Sequence, residues 1–310
     1  MALRKDPQRG QFDLFAPHIS DLPLRDQRET MERPFFSLAK RKRLQPIDYE
    51  SPDGSVFVSV NAVPRYGMAT IWDADVLIWA ASVITEMKEN GVNDIPRTLQ
   101  FHAYDLLKTI RRGTSGRHYE ELRAGMARLQ STTIRTNIRA TGRKKVRQFG
   151  WIESWSEVTD EETGVSKGMT LTVSDWLHEG IIMEGGVLAI DPDYFQLTGG
   201  RERWLYRVAR KHAGGADGAG FTIRLPTLFE KSGAEGTYRR FKFEVRKITD
   251  ADPLPEFHLE LFEETQGEEP SLMMVRRSRL APDHPAYEFP RKRDRRYPRR
   301  VPETTSQSHV

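Results

Sequence analysis

The sequence predicts an α+β fold in which a helix-turn-helix followed by a β-hairpin occurs twice. Two observations indicate this fold. In each half of the chain, a glycine-containing turn precedes apolar residues that recur at i, i+3, i+7 and i+10, and segments of alternating polarity follow. The two patterns are about 120 residues apart, which predicts a duplicated structural unit. The apolar stripes are Tyr119, Leu122, Met126 and Leu129, and then Tyr238, Phe241, Val245 and Ile248.

The first unit begins with a strand and a long helix. Val56, Val58 and Val60 alternate with other residues, as in a strand. Apolar residues then recur at helical spacing, with Asp73 as the predicted N-cap and Gly91 as the end of the helix. A short helix over 101–112 and a turn over 113–116 lead into the helix that carries the first stripe.

A hairpin follows this helix-turn-helix. The segment 134–139 alternates, the segment 141–145 supplies a basic turn, and 146–155 is the predicted return strand. A helix-turn-helix with such a hairpin is a winged helix, whose wing lies along the phosphate backbone of DNA. In the second unit, strands over 257–262 and 272–275 form the predicted wing, but its Glu residues make it acidic.

These patterns divide the chain into five segments. The ends are rich in proline and charge and lack apolar periodicity, whereas the central segments carry the two units. The predicted division is a flexible N-terminal arm over 1–45, a first winged-helix domain over 46–158, a linker or loop over 159–168, a second winged-helix domain over 169–276, and a disordered Pro/Arg-rich basic tail over 277–310.

Charge is unevenly distributed along the 310 residues. The net charge is only +4, from 48 Lys and Arg against 44 Asp and Glu. Residues 111–147 nevertheless hold 11 basic residues against two acidic ones, and residues 201–247 hold 12 against five. Positive charge concentrated around both predicted helix-turn-helix units is typical of proteins that bind a polyanion such as duplex DNA.

The predicted DNA contacts lie on the two turns, the helices after them and the first wing. Wing cations would position the protein on phosphates, whereas helix arginines would reach base edges. Phe243 would contact a thymine methyl or sugar, or else pack against a neighbouring domain or subunit. The predicted set is Arg111, Arg112, Thr114, Ser115, Arg117, His118, Arg123, Arg128, Arg135, Arg143, Lys144, Lys145, Arg147, Thr237, Arg239, Arg240, Lys242, Phe243, Arg246 and Lys247.

Composition excludes several classes of site. With no cysteine, the chain has no disulfides, thiol nucleophile or zinc ribbon. Its eight histidines lack a pair at metal-ligand spacing, so we expect neither a metal nor a cofactor. No apolar stretch reaches the length of a membrane span, and the N-terminus lacks the apolar core of a signal peptide. We therefore expect a cytoplasmic protein.

Three segments resemble those of the plasmid replication initiator protein A family of bacteria. They are 111–119, its continuation 129–137, and 201–206. The resemblance covers roughly residues 45–280, and it implies binding to origin repeats, local duplex opening and recruitment of host initiator and helicase-loading proteins. It also implies two forms, a monomer on origin repeats and a homodimer that represses its own gene at an operator-like inverted repeat.

Two alternatives remain open at the level of sequence. One is a winged-helix transcriptional repressor without initiator activity. The other, ranked lower, is a replication enzyme, either a nickase or a primase. A nickase needs a metal-held histidine pair beside a nucleophilic tyrosine, whereas Tyr119 and Tyr238 lie on the apolar stripes. The chain also lacks the glycine-rich loop with a Lys-Ser/Thr end that binds nucleotide phosphates, and we expect no enzymatic activity.

Overall fold

The structure is a computed structural model that describes residues 22–139, 146–164, 166–215, 220–262 and 269–288. Within these residues, no helix is both long and apolar enough to cross a membrane. The helices and strands are β1 Arg25–Gln27, β2 Ile47–Glu50, β3 Phe57–Asn61, α1 Ala74–Glu89, β4 Thr98–Phe101, α2 Ala103–Thr109, α3 Gly116–Ser131, β5 Thr133–Thr136, β6 Arg147–Phe149, β7 Ile152–Thr159, β8 Ser166–Val173, α4 Asp175–Ile182, β9 Val187–Ala189, α5 Gly200–His212, β10 Phe221–Arg224, α6 Leu225–Ser232, α7 Tyr238–Ala251, β11 Phe257–Phe262 and β12 Ser271–Arg276.

The fold combines helices with antiparallel sheets, and the same order of elements occurs in two units. The first unit runs from α1 to β8 and the second from α5 to β12. In each, a helix, a strand and two further helices precede a hairpin, and the last strand lies in the middle of a three-stranded sheet. The sheet orders are β4-β8-β7 and β10-β12-β11. The duplication predicted from the apolar stripes is therefore present in the described elements.

The hairpin after α3 differs from the sequence prediction. Strand β5 does pair with β6, but both belong to a four-stranded sheet of order β2-β3-β5-β6, away from β4. The predicted return strand divides at Gly150 and Trp151, where the Trp151 amide donates to the Leu129 carbonyl. A Cβ on Gly150 would lie 2.8 Å from the Gln130 carbonyl oxygen, so glycine permits this close crossing. The hairpin that pairs with β4 is β7–β8, whose connection occupies the predicted linker.

The segment 22–45 packs into the protein, contrary to the expected flexible arm. Strand β1 pairs with β9, about 160 residues later in the chain. Met31 and Phe35 are fully buried, and Phe36 stacks on Trp151 with ring centroids 4.7 Å apart. The prolines and charges of this segment obscured its apolar residues. Residues 1–21 lie outside the described part.

The segment after β12 also differs from the predicted tail at its beginning. Arg277 is buried, and its guanidinium donates to the carbonyls of Leu254 and Ala286. Arg277 therefore fixes the start of the predicted tail against the second unit, because a buried guanidinium needs such acceptors, whereas most of residues 278–288 are exposed. The remainder of the predicted tail, 289–310, lies outside the described residues.

Helix α5 joins the two units through buried ion pairs. Arg203 donates to Asp75 on α1 at 2.6 Å, and Arg207 forms a bidentate pair with Asp26 on β1 at 2.6 and 3.0 Å. All four side chains are at least 95% buried. Because an unpaired charge at such a position would be strongly unfavourable, these pairs fix the position of α5 against α1 and β1.

Candidate nucleic-acid interface

Helix α7 presents a cationic outer face. Its N-cap is Thr237, whose hydroxyl accepts from the Arg240 amide, and Phe241 and Val245 form its buried side. The exposed side chains include Arg239, Arg240, Phe243 and Lys247, all from the predicted set. Such a helix has the charge and shape to lie in a major groove, since its inner side is packed against the protein and its outer side carries exposed cations.

Phe243 lies in the middle of this face and is 54% exposed. The Lys247 ammonium lies 4.5 Å from its ring centroid. An exposed aromatic ring beside a cation offers both an apolar surface and a positive charge, which suits contact with a base or sugar next to a phosphate. Its contact with DNA stays a prediction.

Carboxylates neutralise part of the α7 charge. Arg240 donates to Glu244 at 2.8 Å, and Glu244 also pairs with Arg201 of α5. The Lys242 ammonium lies 3.7 Å from Glu269. Glu269 also accepts from the Tyr238 hydroxyl at 2.5 Å, and burial together with this carboxylate raises the pKa of Tyr238. Arg246 is half-buried, whereas Arg239 and Lys247 extend from the face as exposed cations.

Helix α3 is different, because its predicted DNA-contact arginines are held by carboxylates of the surrounding structure. Arg128 forms a bidentate pair with Asp73 at 2.7 and 2.8 Å, and Arg123 forms one with Glu157 of β7 at 2.7 and 3.0 Å. Hydrogen bonding to Asp73 raises the pKa of Arg128. Asp73 is the N-cap residue of α1, as predicted, although its carboxylate makes no side-chain cap bond to the helix.

The turn before α3 is also tied to the protein. Arg112 donates to the Asp75 carboxylate at 2.9 Å and to the Trp72 carbonyl, and Arg111 pairs with Asp193 at 2.5 Å. Of the remaining predicted residues here, Ser115 and Arg117 are exposed and Thr114 and His118 are half-buried. The Ser115 hydroxyl lies 2.8 Å from His118 Nδ1, and Arg117 pairs with Glu121 on the surface.

The β5–β6 hairpin carries the remaining predicted contacts. Arg135 is exposed on β5, with its guanidinium 5.8 Å from the Phe57 ring. Arg147 on β6 is half-buried and forms a bidentate pair with Glu179 of α4. Arg143, Lys144 and Lys145 lie outside the described residues. The base of this hairpin is therefore held against α4 by the Arg147–Glu179 pair.

The turn between β7 and β8 is acidic. Glu161 and Glu162 are exposed, and Asp160 accepts hydrogen bonds from the amide and hydroxyl of Thr163. These bonds, together with Lys167, lower the pKa of Asp160 to about 2. An acidic turn is repelled by phosphate, so this hairpin is poorly suited to lie along a DNA backbone.

Sequence analysis missed the carboxylate partners of the α3 arginines. Asp73, Asp75 and Glu157 each lie at least 34 positions from the arginine they hold, and no local pattern connects them. The described residues contain no group of three or more Asp, Glu or His side chains arranged to hold a metal ion. The arrangement can thus present charge to a polyanion, chiefly from α7.

Comparisons with known proteins identify a family match, a relative and a similar fold. The sequence profile of the family "Replication initiator protein A" matches residues 25–259. A "Putative replication protein" from Wigglesworthia glossinidia brevipalpis is 28% identical over 260 residues, which are 83% of this chain and 91% of that protein. The crystal structure of domains 2 and 3 of RctB has a similar fold, with a TM-score of 0.57 at 13% identity over 79% of this chain and 96% of the RctB chain.

Proposed function

Because the chain belongs to the replication initiator protein A family, we propose that it binds repeated duplex sites at a replication origin in a sequence-specific manner. The observation that carries this proposal is the outer face of α7, where Arg239, Phe243 and Lys247 are exposed on a helix whose other side is packed. Arginine on a helix face reads guanine in the major groove, and lysine contacts phosphate.

We further propose that both units are winged helices. In each, two helices separated by a turn follow the first strand, and a hairpin then completes a sheet in which the last strand is central. This order supports α3 and α7 as the recognition helices. The wing of the first unit is then β7–β8. The basic β5–β6 hairpin is an additional element that contacts DNA separately from the wing.

The charges favour unequal roles for the two units. Four predicted contacts around α3 are held by scaffold carboxylates, namely Arg111, Arg112, Arg123 and Arg128. Helix α7 keeps Arg239 and Lys247 exposed. Since counterion release depends on cations that reach phosphates, α7 supplies most of the affinity and α3 contributes Arg117 and the turn residues.

The initiator we propose acts in the cytoplasm without a catalytic step or a cofactor. It binds origin repeats, recruits host initiator and helicase-loading proteins, and represses its own gene as a homodimer on an operator-like inverted repeat. Family membership and the exposed α7 face support the DNA-binding part. The host partners and the homodimer are supported by the family resemblance alone.

Duplex selection from a random pool, followed by affinity measurements at several salt concentrations, tests the proposal. We expect a repeated motif to be enriched, with specific binding that weakens steeply with salt because several phosphates are contacted. Equal binding to scrambled DNA would refute sequence-specific recognition. Origin melting or helicase loading in a reconstituted assay then separates an initiator from a repressor, since a repressor does neither. Magnesium-dependent nicking or primer synthesis would instead indicate an enzyme.

A further inference from the structure

A cluster of exposed cations lies outside every contact considered above. Lys40, Arg41 and Lys42 are exposed, and they belong to the segment that the sequence predicts to be a flexible arm. Their backbone is fixed beside residues 67–71. The Ser37 amide donates to the Ala69 carbonyl at 2.9 Å, and the Met68 amide donates to the Arg43 carbonyl at 3.0 Å. We call Lys40, Arg41 and Lys42 the bridge cluster.

One end of the bridge cluster is attached to the turn before α7. Arg43 is buried, and its guanidinium donates to the carbonyl of Gly233 at 2.5 Å and to that of Gln45 at 2.9 Å. Arg41 forms an ion pair with Glu235 of the same turn at 3.1 Å, while its side chain stays 73% exposed. The cluster therefore begins where the N-terminus of α7 begins.

The other end reaches the first unit. The Lys40 ammonium lies 5.1 Å from the centroid of the Trp72 ring, just before α1. The Trp72 carbonyl in turn accepts from Arg112, in the turn that precedes α3. The bridge cluster thus lies between the α2–α3 turn and the α6–α7 turn, on a segment that contacts both units.

The charge of this surface is positive. Lys42 donates to the Arg65 carbonyl at 2.9 Å, and Arg65 is itself an exposed cation. Glu235 is the carboxylate paired with Arg41, and it is only 23% exposed. Fixed cations next to the N-terminus of a recognition helix lie where the sugar-phosphate backbone passes, because that end of the helix enters the groove.

We propose that the bridge cluster binds phosphates of the duplex between the segments contacted by the first and second units. This inference rests on the proposed DNA-binding function and adds a contact element to it. Lys40 and Lys42 supply point charges that carry no base information, so they set affinity and register without changing the sequence read by α7.

The test compares two double variants of the full chain. Lys40→Gln with Lys42→Gln removes two bridge charges, and Arg28→Gln with Lys88→Gln removes two exposed charges elsewhere. Lys88 lies at the far end of α1, about 21 Å from Ala74 at 1.5 Å rise per residue. We expect the bridge variant to lower the magnitude of the salt slope, log K against log salt, by about 2, since each phosphate contact contributes about 0.9. The control should keep the wild-type slope.

Ethylation interference on the selected duplex then locates the contact. We expect the wild-type protein to show interference at phosphates between the segments protected by the two units, and the bridge variant to lose it. A bridge variant with the wild-type slope and interference pattern would overturn the inference, even if Arg239→Gln abolishes specific binding. If the wild-type protein binds no duplex selectively, the proposed function itself fails.

Discussion

Arg203 on α5 and Asp75 on α1 form a 2.6 Å ion pair in which both side chains are almost fully buried. The same carboxylate accepts from Arg112 at 2.9 Å, before the turn that leads into α3. One residue of the first unit therefore holds both the first helix of the second unit and its own helix-turn-helix. Loss of the Asp75 charge would destabilise both units. Substitution of Asp75 therefore tests directly whether the two units unfold together.

We expect Asp75→Asn to lower the free energy of unfolding by about 3 kcal/mol, because two arginines would lose their counter-charge in a buried site. Urea denaturation followed by fluorescence and by circular dichroism measures the change. Asp48→Asn, on the exposed side of β2, is the matched control and should shift the midpoint little. Equal midpoints for both variants would contradict a structural role for the Asp75 charge.

Arg239 and Arg117 are the second residues of α7 and α3, and both are exposed. We expect Arg239→Gln to raise Kd for the selected duplex about 10- to 100-fold, in line with the loss of a bidentate guanine contact. Arg117→Gln should raise it only a few-fold. Fluorescence anisotropy measures Kd for each variant. An unchanged thermal melt shows that the variants are folded like the wild-type protein. A larger loss for Arg117→Gln would reverse the assignment of α7 as the dominant helix.

The Arg128–Asp73 pair should stabilise the fold rather than bind DNA. A double-mutant cycle with Arg128→Gln and Asp73→Asn should give a coupling of about 1–3 kcal/mol in unfolding free energy. The DNA affinity of the folded Arg128→Gln protein should change less than that of Arg239→Gln. Loss of binding without loss of stability would instead make Arg128 a DNA contact.

Glu32 is predicted to stabilise the fold in a pH-dependent way. Burial raises its pKa, but hydrogen bonds from His212, Lys211 and Lys231 outweigh burial and leave the pKa well below its usual value. Because the folded pKa is lower than the unfolded one, the stabilisation is full above about pH 4.3 and declines as pH falls below it.

We therefore expect Glu32→Gln to destabilise the protein by about 3 kcal/mol at pH 7. The difference from wild type should narrow as the pH is lowered below about 4, where unfolding by urea can still be compared between the two proteins. Glu50→Gln, exposed on β2, provides a control of equal charge change. A difference that is constant from pH 7 to pH 3 would show that the ionised carboxylate is not the source of the stability.

Gly233 ends α6 in the left-handed region, with φ at +56°. An added Cβ would lie 2.5 Å from Pro34 Cβ and 3.1 Å from Ile47 Cγ2. Gly233→Ala should therefore lower stability by about 2 kcal/mol or more, through backbone strain and a clash with the N-terminal segment. Gly116→Ala faces open space at the start of α3 and should be neutral in the same thermal melt.

Local patterns predicted the helices well and the long-range pairings poorly. The stripes of α3 and α7 follow from periodicity, and their buried residues Leu122, Met126, Phe241 and Val245 agree with it. The β5–β6 hairpin was predicted, but its sheet was not, because strand partners distant in sequence decide the sheet. Whether an arginine faces DNA or a carboxylate depends on equally distant residues, as Arg128 and Asp73 illustrate.

The pairing of β1 with β9 constrains how the chain is made. A ribosome that has released β1 must add about 160 further residues before β9 emerges, which takes roughly 10–30 s at 5–20 residues per second. Phe35 and Phe36 likewise lack the Trp151 and Trp176 rings that cover them until residues 151 and 176 have been made. The nascent N-terminal segment thus exposes apolar side chains during synthesis, and a truncation before α4 would leave β1 unpaired and Phe35 without its Trp176 neighbour.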